Sequence, residues 1–129
     1  MLSNYTPIAT VPTADLARAR AFYEGTLGVG GGAQMAVSGD VFYTCGSSGF
    51  LLYASQFAGT NQATTLAFQV DEDGFDAEVA RLRDAGVSFD TFEMEGLNWV
   101  DGVATMDEGK AVWFRDPDGN ILNLTTMQA

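Results

Sequence analysis

Two stretches of the chain repeat apolar residues every three or four positions, which is the spacing of an amphipathic helix. The first runs from Thr13 to Gly28, and the second runs from about Asp73 to Ala85, just before Gly86. A glycine, Gly28 or Gly86, marks the end of each stretch. Glycine is the residue that most readily adopts the backbone conformation that ends a helix. The pattern predicts two helices, each with one apolar face that covers a sheet.

Eight further segments have the apolar content and the flanking turn residues of β-strands. These predicted strands are Tyr5–Val11, Gly32–Val37, Val41–Cys45, Phe50–Ala54, Thr64–Val70, Ser88–Glu93, Lys110–Arg115 and Ile121–Thr126. In chain order this gives a strand, a helix and three strands, and then the same order again. Such a repeat predicts a duplicated βαβββ unit, neither half of which buries its sheet alone.

The length of 129 residues fits one compact domain with a single core. We therefore predict one domain over residues 1–129, with a first βαβββ module at 1–60 and a second at 61–129. The main insertion in the second half is Gly96–Gly109, which carries Trp99. We expect this insertion to be a loop that covers a binding site, because long loops in compact domains often have that role.

The charge of the chain narrows the choice of partners. Its net charge of −11 and its pI of about 4.1 argue against nucleic acids and anionic membranes, which attract basic surfaces. The sequence contains neither an apolar run long enough to span a bilayer nor a secretory signal at its start. The expected location is the cytoplasm. The single cysteine, Cys45, has no partner for an internal disulfide.

Two motifs carry a resemblance to a known family. The first is V-x-x-A-D-L-x-x-A-x-x-F-Y-x-x-x-L-G at Val11–Gly28, and the second is W-F-R-D-P-D-G-N at Trp113–Asn120. Together with the duplicated order of strands and helices, these two motifs resemble the vicinal-oxygen-chelate superfamily of glyoxalases, bleomycin-resistance proteins and dioxygenases. The stretch Phe50–Gly59 is further similar to a bacterial glyoxalase-like subgroup. The resemblance implies an α+β fold of two tandem βαβββ modules, which form a curled mixed sheet around a cavity, with helices on the outer face.

Metal-binding members of the family place four ligands in that cavity, and the resemblance maps them to Ile8, Leu51, Thr65 and Asn123. The chain has no histidine at all. Two of the four side chains are aliphatic, and hydroxyl and amide oxygens are poor ligands for the transition metals of the family. We therefore expect no metal, no other cofactor and no assigned catalytic residue.

The alternation of strand residues indicates what lines the cavity instead. The side chains at Leu66, Phe68, Phe114, Leu122 and Leu124 are expected to face the helices. The predicted ligand-binding residues are Thr10, Tyr53, Thr65, Gln69, Trp99, Trp113 and Asn123. Apolar walls, an indole and a few hydroxyl and amide groups suit a small hydrophobic or aromatic molecule.

Four functions remain open at this point. The leading hypothesis is a metal-independent homodimer that binds or sequesters such a molecule, as drug-binding relatives do. The second is a lyase or isomerase without a metal, which uses Glu93, Glu95, Asp101 or Glu108 as a general base. The third is a metal-dependent glyoxalase-like enzyme, and the fourth is a partner-binding module with no ligand.

Overall fold

The computed structural model describes residues 1–126, in which two helices and nine strands follow one another along the chain. A short 3-10 turn, Leu2–Asn4, comes first. The strands are β1 (Ala9–Thr13), β2 (Ala33–Gln34), β3 (Val41–Cys45), β4 (Ser48–Ala54), β5 (Thr64–Gln69), β6 (Asn98–Val100), β7 (Val103–Met106), β8 (Gly109–Arg115) and β9 (Ile121–Thr125). Within this part of the chain, no helix is long and apolar enough to cross a bilayer.

Both helices begin where an aspartate caps them. Helix α1 covers Leu16–Arg20, and the Asp15 carboxylate accepts a hydrogen bond from the Arg18 amide at 3.0 Å. It continues directly into a π-helical segment, Ala21–Thr26. Helix α2 covers Glu72–Asp84 and is capped in the same way by Asp71. Such side-chain acceptors stabilise a helix start because the first amides have no partner within the helix.

The strands form two open sheets with related topologies. The first sheet has the order β1-β4-β3-β2, and the second has the order β5-β9-β8-β7-β6. In each sheet the strand before the helix pairs in parallel with the last strand of its module, and the other pairs are antiparallel. The predicted α+β fold of two successive βαβββ modules is therefore confirmed.

The structure corrects three of the predicted strands, and the first of them, Tyr5–Val11, lies at Ala9–Thr13 instead. Ser88–Glu93 was predicted as a strand, which is wrong, since only Asp90 makes an isolated bridge, to Trp113. The predicted strand Gly32–Val37 is reduced to β2. The segment Ser88–Glu93 reaches β8 beyond the part of that strand that pairs with β7, and there it meets the strand at one residue instead of forming a ladder.

The predicted insertion, Gly96–Gly109, is a hairpin rather than a loop. Strands β6 and β7 pair across a tight turn at Asp101 and Gly102, whose φ angles are 51° and 79°. Positive φ at both central residues is typical of the turn type that matches the twist of paired strands, and Asp-Gly is a preferred sequence for it. The hairpin extends the second sheet to five strands.

One hydrophobic core joins both modules on the helix-bearing face of the sheets. Tyr23 of the π-helical segment is fully buried and contacts the Phe50 ring of β4 at a centroid distance of 5.4 Å. Phe50 in turn meets the Phe68 ring of β5 edge to face at 6.3 Å. The buried residues of α2, Phe75, Val79 and Leu82, belong to the same cluster. Each helix therefore covers a sheet, as its amphipathic pattern predicts.

The turn between β8 and β9 fastens the second module to the first. The Tyr23 hydroxyl donates to the Asp116 carboxylate at 2.6 Å, and the Thr13 hydroxyl donates to Asp118 at 2.7 Å. The side-chain amide of Asn120 donates to the carbonyl of Pro12 at 2.7 Å. The polar residues of the D-P-D-G-N motif thus bind the end of β1 and the first helix.

Candidate functional site

The face of the second sheet that is turned away from the core carries most of the predicted site. Trp113 of β8 lies directly opposite Asn123 of β9, which is also in register with Ala67 of β5. Residues directly opposite each other share one face of a sheet. Their neighbours Phe114 and Leu122 are buried in the core, so the predicted alternation of the two faces is correct here.

Three aromatic rings meet on this face. The rings of Trp99 and Trp113 lie 5.9 Å apart, and Phe92 makes edge-to-face contacts with both, at 5.3 and 4.9 Å. We call Phe92, Trp99 and Trp113 the aromatic cluster. None of the three is fully buried, and Phe92 is 38% exposed. The cluster therefore offers a partly exposed aromatic surface.

The hairpin and the segment before it place two of these rings. Trp99 is in register with Ala104, and Ala104 is in register with Ala111 of β8, two residues from Trp113. Both alanines are fully buried, and their small side chains leave room for the indoles beside them. The Trp99 indole N–H donates to the Phe92 carbonyl at 2.9 Å, which ties the segment before the hairpin to the cluster. The sequence reasoning missed Phe92, because it assigned that residue to a strand.

Polar groups next to the cluster are largely occupied. The Trp113 indole N–H donates to the Thr64 hydroxyl at 3.3 Å, and the Asn123 amide donates to the Val112 carbonyl at 3.1 Å. Thr65 differs, because its hydroxyl is the one buried side-chain polar atom of residues 1–126 without a hydrogen-bond partner. It lies where the register between β5 and β9 shifts. The Thr65 hydroxyl is therefore an exception, since buried polar groups normally have a partner.

Two of the predicted binding residues lie on the first sheet, and a third lies at the end of β5. Thr10 is in register with Leu51, and Pro12 is in register with Tyr53, so Thr10 and Tyr53 share the outer face of the first sheet. The ring contacts and hydrogen bonds of the described residues do not connect them to the aromatic cluster. Gln69 is exposed at the end of β5, where it lines cavities between the two modules. Within one chain, the predicted site is thus divided between two sheets.

The four positions that correspond to metal ligands in the family do not form a metal site. The Asn123 amide is engaged with the backbone, the Thr65 hydroxyl is buried, and the remaining two side chains are Ile8 and Leu51. No group of three histidine, cysteine, aspartate or glutamate residues in the described part of the chain is arranged to hold a metal ion. A transition metal requires imidazole, thiolate or carboxylate ligands, so the residues present do not fit it.

The carboxylates that were considered as general bases are all exposed. Glu93 and Glu95 lie in the irregular segment before the hairpin, Asp101 lies in its turn, and Glu108 lies between β7 and β8. A general base needs a fixed position within hydrogen-bond reach of a bound substrate. No contact of these carboxylates with the aromatic cluster supports that role.

The fold and this face define a protein built from two related modules, with a partly exposed aromatic surface on the second sheet. The sequence model of the Glyoxalase/Bleomycin resistance protein/Dioxygenase superfamily matches residues 6–124, and the chain belongs to this family. Among curated proteins, no sequence matches significantly.

Solved structures share the fold at low sequence identity. The fosfomycin resistance protein FosX of Listeria monocytogenes, in complex with Mn(II) and sulfate, has a TM-score of 0.67 at 17% identity, over 96% of this chain and 90% of that one. FosX of Mesorhizobium loti has a TM-score of 0.64 at 18% identity, over 96% and 92% of the two chains. An integron cassette protein from the mobile metagenome of the Halifax Harbour sewage outfall has a TM-score of 0.65 at 18% identity, over 94% and 98%.

Proposed function

We propose that this protein is a metal-independent member of its superfamily that binds and sequesters a small hydrophobic or aromatic molecule. The observation that carries the proposal is the partly exposed aromatic cluster of Phe92, Trp99 and Trp113. Aromatic rings bind flat apolar molecules by burying area and by stacking, which contributes about 0.5–1.5 kcal/mol per ring pair beyond burial. No charged group is needed for such binding.

We further propose that the protein acts as a homodimer in the cytoplasm. Thr10 and Tyr53 lie on the first sheet and the aromatic cluster lies on the second, so a single chain leaves both outer faces open. A second copy that places its first sheet over the cluster would bring all of the predicted binding residues together. The 45% exposure of Ile8, two residues before Thr10, supports a covered face, because apolar area gains free energy on burial.

The structural neighbours suggest an antibiotic as one candidate ligand. Fosfomycin itself is a phosphonate, and an anion of this kind requires a free cationic partner. Five of the six lysines and arginines are in ion pairs, and the sixth, Arg83, donates to the Asp101 carbonyl. We therefore expect an uncharged aromatic compound to bind and fosfomycin not to bind.

Tryptophan fluorescence tests this function directly, because both tryptophans of the sequence belong to the cluster. Uncharged aromatic compounds, fosfomycin and the divalent ions of manganese, nickel and zinc are titrated into the untagged protein. Melting temperatures are measured in parallel. A ligand at a hundred times its Kd stabilises the folded state by about 2.7 kcal/mol. We expect a saturable fluorescence change and a higher melting temperature with an aromatic compound only.

A pair of variants makes the assignment specific. Trp113→Leu removes a ring that contacts both of the other rings of the cluster, and it is expected to weaken binding at least tenfold. Phe57→Leu removes an aromatic ring that is 67% exposed outside the cluster and should leave affinity unchanged. Stabilisation by a divalent transition metal, or equal affinity in the two variants, would contradict the proposal.

A further inference from the structure

A cavity lies between the two modules, on the opposite side of the second sheet from the aromatic cluster. Its volume is about 360 Å³. The apolar side chains that line it include Leu27, Val29, Phe68, Leu82, Phe114 and Leu124. Phe114 and Leu124 directly follow Trp113 and Asn123 in their strands, so they point to the other face. The cavity is therefore separate from the aromatic cluster, although Gln69, one of the predicted binding residues, also lines it.

The mouth of the cavity is held by fixed contacts. The guanidinium group of Arg81 on α2 donates to the carbonyls of Thr26 and Leu27, at 3.2 and 2.9 Å. These bonds fasten the end of the first helix to the second helix. The chain then turns away at Gly28, whose φ of 74° suits glycine, and Gly28, Val29 and Gly30 form one side of the opening. A cavity with such fixed walls costs little conformational entropy when it binds a ligand.

The charges at the cavity neutralise each other. Arg81 and Glu78 are the charged residues that line it, and their side chains form an ion pair at 2.9 Å. A charged ligand would find no unpaired counter-charge there, and the net charge of −11 further disfavours an anion. The cavity therefore suits a molecule without net charge.

Cys45, at the end of β3, also lines this cavity. Burial raises the pKa of its thiol, so the group stays protonated at neutral pH and acts as a soft, weakly polar part of the wall. It lines a neighbouring cavity as well, next to Ser47 and Leu66. As the single cysteine of the chain, it provides a specific chemical reporter.

We propose that this cavity is a second binding site, which takes a small, uncharged, apolar molecule of the size of a substituted naphthalene. A volume of about 360 Å³ lies at the lower end of the range of about 300–1,000 Å³ that is typical of small-molecule sites. The apolar walls provide the affinity by burial, and the neutral mouth provides selection by charge.

Alkylation of Cys45 tests the proposal. The protein is treated with iodoacetamide, with and without 1-naphthaleneacetamide, and the modified fraction is followed by intact mass spectrometry. At saturation, 1-naphthaleneacetamide is expected to slow alkylation at least tenfold and to raise the melting temperature. The anion 1-naphthaleneacetate, which has the same ring system, is expected to do neither at the same concentration.

Two glycine variants locate the bound probe. A side chain at Gly30 meets no atom within 4 Å of its Cβ, so Gly30→Phe can fill the opening without strain. Gly25 is equally open but does not line the cavity, and Gly25→Phe serves as its control. We expect the effects of 1-naphthaleneacetamide to be lost in Gly30→Phe and kept in Gly25→Phe.

Two outcomes would overturn the proposal. One is that millimolar 1-naphthaleneacetamide neither protects Cys45 nor raises the melting temperature of the unmodified protein. This result does not depend on how well any variant folds. The other is undiminished protection in Gly30→Phe, which would place the probe in the neighbouring cavity. Protection that persists in Trp113→Leu supports the proposal and shows that the two sites are independent.

Discussion

At the scale of single residues, one buried tyrosine links the two modules. Tyr23 is fully buried, and its hydroxyl donates to the Asp116 carboxylate, which also accepts bonds from the backbone amides of Asp118 and Asn120. Burial, followed by the charge of Asp116, raises the pKa of Tyr23, so the phenol remains a donor over the whole physiological range. The aspartates of the D-P-D-G-N motif therefore organise the turn and its contacts.

Removal of this hydroxyl should destabilise the protein. In Tyr23→Phe the Asp116 carboxylate loses a buried donor, and hydrogen bonds to charged groups contribute about 1.5–3 kcal/mol. We expect a loss of that size in the free energy of unfolding, measured by urea denaturation. Tyr53→Phe is the matched control, because the Tyr53 side chain makes no hydrogen bond among residues 1–126, and it should change stability by less than about 0.5 kcal/mol. Equal losses in the two variants would show that the bond to Asp116 contributes nothing.

A second tyrosine makes stability depend on alkaline pH. Burial, followed by the hydrogen bond to Glu24, raises the pKa of Tyr43 from 10.0 to about 12. Below pH 10 the phenol is neutral in both the folded and the unfolded chain, so its contribution to stability is fully present. As the pH rises from 10 to 12, the unfolded chain ionises first, and this contribution is lost. We expect the urea midpoint to fall over this window.

The variant Tyr43→Phe isolates this effect. Tyr23 still contributes in the same direction, since its pKa is also raised, and so the variant should reduce the fall without abolishing it. The comparison is made by urea titrations between pH 8.5 and 11.5. A fall as steep in Tyr43→Phe as in the unmodified protein would rule out Tyr43 as a source of the pH dependence.

At the scale of elements, the β6–β7 hairpin positions Trp99 in the aromatic cluster. Its turn depends on Gly102, which has a φ of 79° and whose Cβ, if present, would lie 3.4 Å from the Cβ of Phe89. Arg83 of α2 donates to the Asp101 carbonyl in the same turn. The turn thus joins a helix, a hairpin and the segment before it.

A β-branched residue in this turn should loosen the hairpin. Gly102→Val forces a left-handed backbone conformation on a valine, which costs on the order of 1–3 kcal/mol. We expect lower stability together with a red-shifted tryptophan emission, because Trp99 becomes more exposed to water. Gly25→Ala, at a position with open space and no left-handed backbone, controls for the loss of a glycine and should leave the emission unchanged. An unshifted spectrum in Gly102→Val would mean that the cluster does not depend on the turn.

At the scale of the whole molecule, the two outer sheet faces remain open within one chain. The core joins the modules on their helix-bearing side, and this arrangement separates Thr10 and Tyr53 from the tryptophans. A homodimer is the simplest assembly that covers both faces. The proposed ligand site then depends on association.

A charged substitution on the outer face of the first sheet tests this assembly. Ile8→Lys places a charge on the face proposed to cover the cluster of the partner, and it should weaken dimerisation by a factor of ten or more, equal to about 1.4 kcal/mol. Val37→Lys introduces the same charge at a fully exposed apolar residue in the turn between β2 and β3, outside the paired strands, and should leave dimerisation unchanged. Sedimentation velocity over a range of concentrations measures both. A monomer in the unmodified protein, or equal effects of the two variants, would contradict the proposed assembly.

Much of the fold could be predicted from the sequence because its cause is local. The two helices, the strands β3 to β5, β8 and β9, and the core-facing residues Phe114, Leu122 and Leu124 all follow from periodicity and turn residues. The hairpin at Asp101–Gly102 had a local signal too, in its Asp-Gly turn, which the interpretation of Gly96–Gly109 as a loop overlooked. The division of the chain into modules at residue 60 remains a prediction.

The sequence by itself determined the duplicated order of a strand, a helix and further strands, the family, and the absence of histidine from the chain. These properties depend on residue identity and on spacing along the chain. Only the tertiary structure decided that Ser88–Glu93 meets β8 at Asp90 alone, that Phe92 joins the two tryptophans, and that the predicted binding residues lie on two separate sheets. The reason is that these outcomes depend on which strands pair and on how the modules pack, and both are set by contacts between residues far apart in sequence.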